Sequence, residues 1–282
     1  MNADLNCRVT ELWLYPIKGC AGVRLRSATL ADTGLEHEGI GDREWVLADA
    51  AGEFLSQRSH PLMALVQPRF TASSLRLKAP GMIDLDLPFD SEGDVVRVQV
   101  WNDELAGVTQ GELADTWFSR YLGTPCRLLR FDPEQRRLAA ARDTGAVAAP
   151  YKFADAFPLL VLGEGSMDDL NARLAALGAA PVDQRRFRPN VVLGDMPAHE
   201  EDFLATLEHG ALLLDCVKPC ARCTVPGVDP DTAASDTTVT DLLASYRRTA
   251  DGVMFGVNAI VARGAGALLS EGDMLVGRLR FG

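Results

Sequence analysis

Two of the six cysteines in this 282-residue chain, Cys220 and Cys223, are spaced C-x-x-C within the stretch Cys216-Val-Lys-Pro-Cys-Ala-Arg-Cys223. Thiols at that spacing support several chemistries. A thioredoxin-like dithiol expects a βαβ pattern around it, whereas Thr-Val-Pro-Gly-Val-Asp-Pro follows Cys223 and cannot carry a helix past its first turn. A structural zinc site takes four Cys or His ligands, commonly as two short-spaced pairs. Here Cys7, Cys20 and Cys126 stand alone, and His37, His60, His199 and His209 lie far apart in the chain. Buried core thiols are the plainest alternative, since free cysteine is among the most buried residue types. The polar company points to chemistry instead. Lys218 precedes the pair and Arg222 lies between its two thiols, nearby cations favour the thiolate, and a thiolate is a soft metal ligand. One thiolate in such a setting can anchor a cofactor that brings its own remaining ligands.

The elements that must position these residues are mostly strands. Period-2 alternation and β-branched or aromatic runs between Gly, Pro and Asp breaks mark strands over 8–17, 74–77, 82–87, 95–101, 126–131, 158–163, 191–193, 253–262 and 273–281. Thr109-Gln-Gly-Glu112 and Ser166-Met-Asp-Asp169 have the form of capping boxes. Each precedes apolar residues at helical spacing: Leu113, Trp117 and Tyr121 in one case, Met167, Leu170, Leu174 and Leu177 in the other. A third helix is expected over 240–248. Between Asp132 and Pro150 the periodicity lapses into an Arg/Ala/Gly run. That lapse divides the chain into a β-rich unit over 1–131 and a second over 132–282. There is no βαβαβ rhythm, no P-loop and no G-x-G-x-x-G, so a mainly β or α+β architecture is expected rather than a doubly wound nucleotide-binding sheet.

A formal net charge of −11 and a pI near 4.9 argue against a nucleic-acid partner, which calls for a basic face. The first thirteen residues show neither an apolar signal core nor a basic amphipathic pattern, and no apolar run reaches membrane-spanning length. A cytoplasmic protein with reduced thiols and no membrane partner is expected.

Lys218-Pro-Cys-Ala-Arg-Cys223 followed by Val228-Asp-Pro-Asp-Thr232 resembles the signature of the MOSC-domain family, and in particular its amidoxime-reducing branch. The resemblance runs through nearly the whole chain in the family's order: LWLYPIKGCAGV (12–23), GDREWVL (41–47), FLSQR (54–58), FADAFPLLVLGEGSMDDLN (153–171) and RFRPNVVL (186–193). It implies a β-rich N-terminal domain packed on a C-terminal MOSC β-barrel, with a molybdenum cofactor (molybdenum on a pyranopterin dithiolene) held between them. Cys223, the second cysteine of the C-x-R-C block, is the implied metal ligand, and Cys220 a neighbouring thiol without a metal bond. Lys18, Arg43 and Arg188 are the implied phosphate and pterin contacts, with Asn190 nearby and Ser166 at a glycine-preceded helix start that suits an anion. The implied activity is reduction of N-hydroxylated substrates; the alternative is a carrier of molybdenum cofactor or sulfane sulfur without reductase activity. With no iron–sulfur cysteine pattern and no flavin or nicotinamide motif, electrons are expected from a separate ferredoxin- or cytochrome-type protein with its reductase. Three departures from the family pattern, Gly19 for a serine, Pro226-Gly227 for two threonines and Thr109-Gln-Gly111 for an Asp-x-Gly, bear on substrate choice more than on metal binding. Asp229 and Asp231 read as turn residues.

Overall fold

The computed structural model describes residues 4–280. Seven strands close into a barrel. Leu159–Gly163, Val191–Gly194, Asp4–Leu14, Met274–Leu279, Leu204–His209, Leu212–Ala221 and Gly252–Arg263 pair in that order, and Gly252–Arg263 returns to pair with Leu159–Gly163. Closure leaves the ring without the unpaired edges that invite aggregation. Alternate side chains point inward, so Cys7, Val9, Leu12 and Leu14 share one core with Val161, Leu193, Leu207, Leu214, Val257 and Leu275.

The single parallel pairing of the ring, Val161 opposite Val191, requires a crossover connection. Helix Glu164–Ala176 supplies it. It buries Met167, Leu170 and Leu174 against Phe187, Phe255 and helix Thr238–Tyr246.

The first strand is a long-range partner. Arg8 faces Gly194 and Cys7 faces Leu275, so residues from the start of the chain complete a barrel built otherwise from residues 159–279. The chain then forms the smaller β unit. Strands Val95–Val100, Asp103–Thr109, Arg127–Phe131 and Trp45–Ala48 make one sheet there, and Gln67–Phe70, Ser74–Lys78 and Leu85–Pro88 another. Helix Glu112–Leu122 packs Trp117 and Phe118 into the core of that unit.

The expected capping boxes do not form. Thr109 ends a strand and Gly111 (φ 90°) caps helix Glu112–Leu122; Gly163 caps the next, whose start at Glu164 leaves Ser166 inside its first turn. Helix 240–248 is observed as Thr238–Tyr246, and the strand expected over 273–281 runs Met274–Leu279, with Phe281 outside the described residues. Among the described residues no helix is long and apolar enough to cross a membrane.

Candidate cofactor and active site

Strand Leu212–Ala221 carries Lys218, Pro219 and Cys220 at its end, where its register to Gly252–Arg263 shifts between Cys216 and Lys218 and again between Pro219 and Ala221. Such irregularities admit a proline into a paired strand and re-aim the side chains beyond it. The Arg222 amide makes one further bond, to the Val253 carbonyl at 2.8 Å. The chain then leaves the sheet, so that Cys223 stands exposed before the short 3-10 turn Val225–Gly227.

Both cysteines line a cavity of about 700 Å³ between the barrel and the smaller unit. Lys18, Arg43, Arg188 and Asn190 line it too, which brings together residues far apart in sequence. Six cationic side chains (these three plus Arg58, Lys218 and Arg222) face three carboxylates, Asp143, Asp155 and Asp251. In a chain of net charge −11 that balance is local and favours an anionic ligand.

Five of these cations are held by hydrogen bonds. The buried Lys18 ammonium donates to the Phe153 carbonyl (2.7 Å) and to Asp155 (2.6 Å); burial lowers its pKa and Asp155 opposes that shift. Arg43 donates to the buried Asp42 carboxylate, to the Arg188 carbonyl at 3.2 Å and to Asn190 Oδ1 at 3.4 Å. Arg43 and Arg188 both lie over the Tyr15 ring, 4.4 and 4.3 Å from its centroid, a favourable cation–π geometry that gathers two like charges. Burial, reinforced by the Arg43 charge, pushes Arg188 down to about 10. One of its guanidinium nitrogens, Nη2, is buried without a partner among the described residues. Arg43 (φ 48°) and Arg188 (φ 58°) are both in the left-handed backbone region, which costs on the order of 1–3 kcal/mol each and concentrates at functional sites. Arg222 bridges the Cys220 sulfur (3.1 Å) and the Phe187 carbonyl (2.8 Å).

Asn190 works from behind. It is buried, accepts from the Leu160 amide at 3.1 Å as well as from Arg43, and donates to the Trp13 carbonyl at 3.2 Å. Asn190→Ala strands buried polar partners on two barrel strands, so it is expected to lower stability by about 2–4 kcal/mol. An unchanged denaturant midpoint would show that these bonds contribute nothing net.

Ser166 is not brought to the cavity. It is fully buried, donates to Glu201 at 2.7 Å and accepts from the His199 amide at 2.8 Å, so its hydroxyl is committed to tying the helix to the 199–201 turn. Asp229 accepts from the Asp231 and Thr232 amides, and Asp231 pairs with Arg185; both are turn residues, as their sequence context indicates. Two of the departing residues, Gly19 and Gly227, sit where a side chain meets resistance. Gly19 has φ +84°, and a Cβ there would lie 2.6 Å from Met63 Cε. A Cβ on Gly227 would lie 2.2 Å from the Asp236 carbonyl oxygen. Sequence reading passes over Arg58, Asp155 and Trp101, which also line the cavity; Trp101 reads as the last residue of a strand but sits at a hairpin tip.

Among the described residues no three His, Cys, Asp or Glu side chains gather as a metal-binding set. A metal at Cys223 would therefore have to bring most of its ligands, and the cationic lining suits a carrier that is itself anionic.

Comparison with known proteins fits this layout. Residues 6–125 match the MOSC N-terminal beta barrel domain and residues 148–277 the MOSC domain. The mitochondrial amidoxime-reducing component 1 of Mus musculus is 32% identical over 249 residues, covering 85% of this chain and 71% of the relative. The mitochondrial amidoxime reducing component 2 of Bos taurus is 33% identical over 245 residues, covering 85% and 72%. The molybdenum cofactor sulfurase of Solanum lycopersicum is 30% identical over 271 residues, covering 88% of this chain and 32% of the relative.

Proposed function

The chain belongs to the MOSC-domain family, and from that membership we propose that it is a molybdenum-cofactor-dependent reductase of N-hydroxylated compounds, with Cys223 as its ligand to the metal. The observation that carries this reading is an exposed thiol on the wall of a cavity lined by six cations. When bound, the cofactor supplies the two-electron chemistry that removes oxygen from an N–O bond, yielding N–H and water with two protons. The chain's own residues bind and orient. The Cys223 thiolate fixes the metal end. Lys18, Arg43 and Arg188 hold the phosphate and pterin edges by charge-assisted hydrogen bonds, and Asn190 positions Arg43. Phe54, Phe157, Leu160 and Met254 give the remaining wall an apolar face, beside which charge interactions are stronger than in bulk water.

Such a reaction consumes two electrons per turnover, and the sequence has no nicotinamide or flavin motif. Protein loaded with cofactor is expected to reduce benzamidoxime with reduced viologen and to show no NADH-dependent turnover alone. A reductase with a small ferredoxin or cytochrome should restore NADH dependence. NADH oxidation coupled to substrate reduction by the isolated chain would contradict the proposal. A second reading, transfer of cofactor or sulfane sulfur, is favoured by the exposure of Cys223 and the match to a protein named a sulfurase; full molybdenum load without reduction by any donor would select it.

A further inference from the structure

Trp101 occupies a place that a large residue fills only against resistance. Val100 pairs with Asp103, so Trp101 and Asn102 form a two-residue hairpin loop with φ +57° at Trp101. A two-residue hairpin turn with positive φ at its first central position is one in which glycine is preferred. Here an indole sits there, 42% exposed and lining the cavity. The surroundings lock it. Its Nε1 donates to Asp155 at 2.8 Å, its carbonyl accepts from Gln99 at 2.8 Å, and Phe54 meets it edge-on at 4.7 Å. A strained residue held this firmly at a cavity is a pointer to function.

Arg58 adds charge to that platform. Its guanidinium lies 4.2 Å from the Trp101 ring centroid and lines the same cavity. The side chain is exposed, and among the described residues it pairs with no carboxylate. The nearby Asp155 carboxylate is engaged by Lys18 and by Trp101. A guanidinium packed over an indole ring by its central carbon can still offer its fork of donors to a carboxylate or phosphate.

We infer that Trp101 and Arg58 form a substrate clamp which selects flat N-hydroxylated compounds bearing an oxyanion, a carboxylate or a phosphate, at the end away from the N–O bond. The inference rests on the reductase reading for its substrate, yet the clamp is a binding device and can be tested without turnover. Glycine is the residue such a turn prefers, so Trp101→Gly is expected to retain the fold.

The test compares benzamidoxime with 4-carboxybenzamidoxime on molybdenum-loaded protein, by titration calorimetry and by kcat/KM with reduced viologen. Wild-type protein is expected to bind the carboxylated compound about tenfold or more tightly, the size of a charge-assisted hydrogen bond. The preference should vanish in Arg58→Gln and Trp101→Gly and partly survive in Trp101→Phe, with molybdenum content and thermal midpoint close to wild type. Equal affinities in wild type, or a preference that persists in Arg58→Gln, would overturn the clamp. Loss of molybdenum from Arg58→Gln would also overturn it, since Arg58 would then serve the cofactor. A calorimetric preference without turnover of either compound supports the clamp and defeats only the reductase reading.

Discussion

Cys223→Ala is expected to reduce benzamidoxime reduction below detection while leaving the fold intact. Cys223 is exposed and lies beyond the end of strand Leu212–Ala221. Truncation of such a surface residue ordinarily changes stability by no more than about 0.5 kcal/mol. The functional loss has a different origin. Among the described residues no cluster of three or more ligating side chains stands ready, and the other thiol on the cavity wall, Cys220, accepts from Arg222 at 3.1 Å. Cys220→Ala provides the contrast. Its sulfur accepts from Arg222 at 3.1 Å, and Arg222 keeps its bond to the Phe187 carbonyl when that sulfur is removed, so most activity should remain. Parallel loss in both variants would favour a two-thiol site. Full activity in Cys223→Ala would remove the thiolate from the mechanism.

The second large effect concerns the two arginines over Tyr15. Arg188→Ala is expected to weaken cofactor retention about ten- to a hundredfold, the scale of one lost charge-assisted hydrogen bond in a desolvated site. Arg43→Ala should act in the same direction and also loosen the 188–190 segment, because Arg43 bonds the Arg188 carbonyl and Asn190. Arg43 and Arg188 repel each other, the Asp42 carboxylate offsets part of that repulsion, and an anionic ligand would offset more of it. The sign with pH follows. Arg188 is pushed down to about 10 by burial and by Arg43, so it is charged at neutral pH. Its hold on an anion should fall as pH rises through about 10. Dialysis followed by pterin fluorescence measures retention; equal pterin content in wild type and both variants would make these arginines structural.

The strand content and the β-rich architecture were legible because period-2 alternation survives without tertiary context, as in residues 8–17 and 191–193. Which strands pair was not. Nothing in residues 4–14 says that they complete a barrel with residues 191–194 and 274–279, since alternation fixes faces and not partners. At the site, Lys18, Arg43, Arg188, Asn190 and Cys223 were readable from short local blocks that resemble a family pattern. Ser166, which the same resemblance implies at the site, does not line the cavity. A serine before an acidic residue reads as a helix cap, but the helix begins at Glu164 and the hydroxyl turns to Glu201. Trp101 was hidden for the opposite reason, because its backbone conformation, and not its neighbours in sequence, sets it apart.

The most direct test of the central claim is molybdenum per chain, measured side by side in wild-type, Cys220→Ala and Cys223→Ala proteins made in a host that synthesises the cofactor. A site anchored by Cys223 predicts similar, near-stoichiometric metal in wild type and Cys220→Ala and its loss from Cys223→Ala. Equal molybdenum in wild type and Cys223→Ala would contradict it.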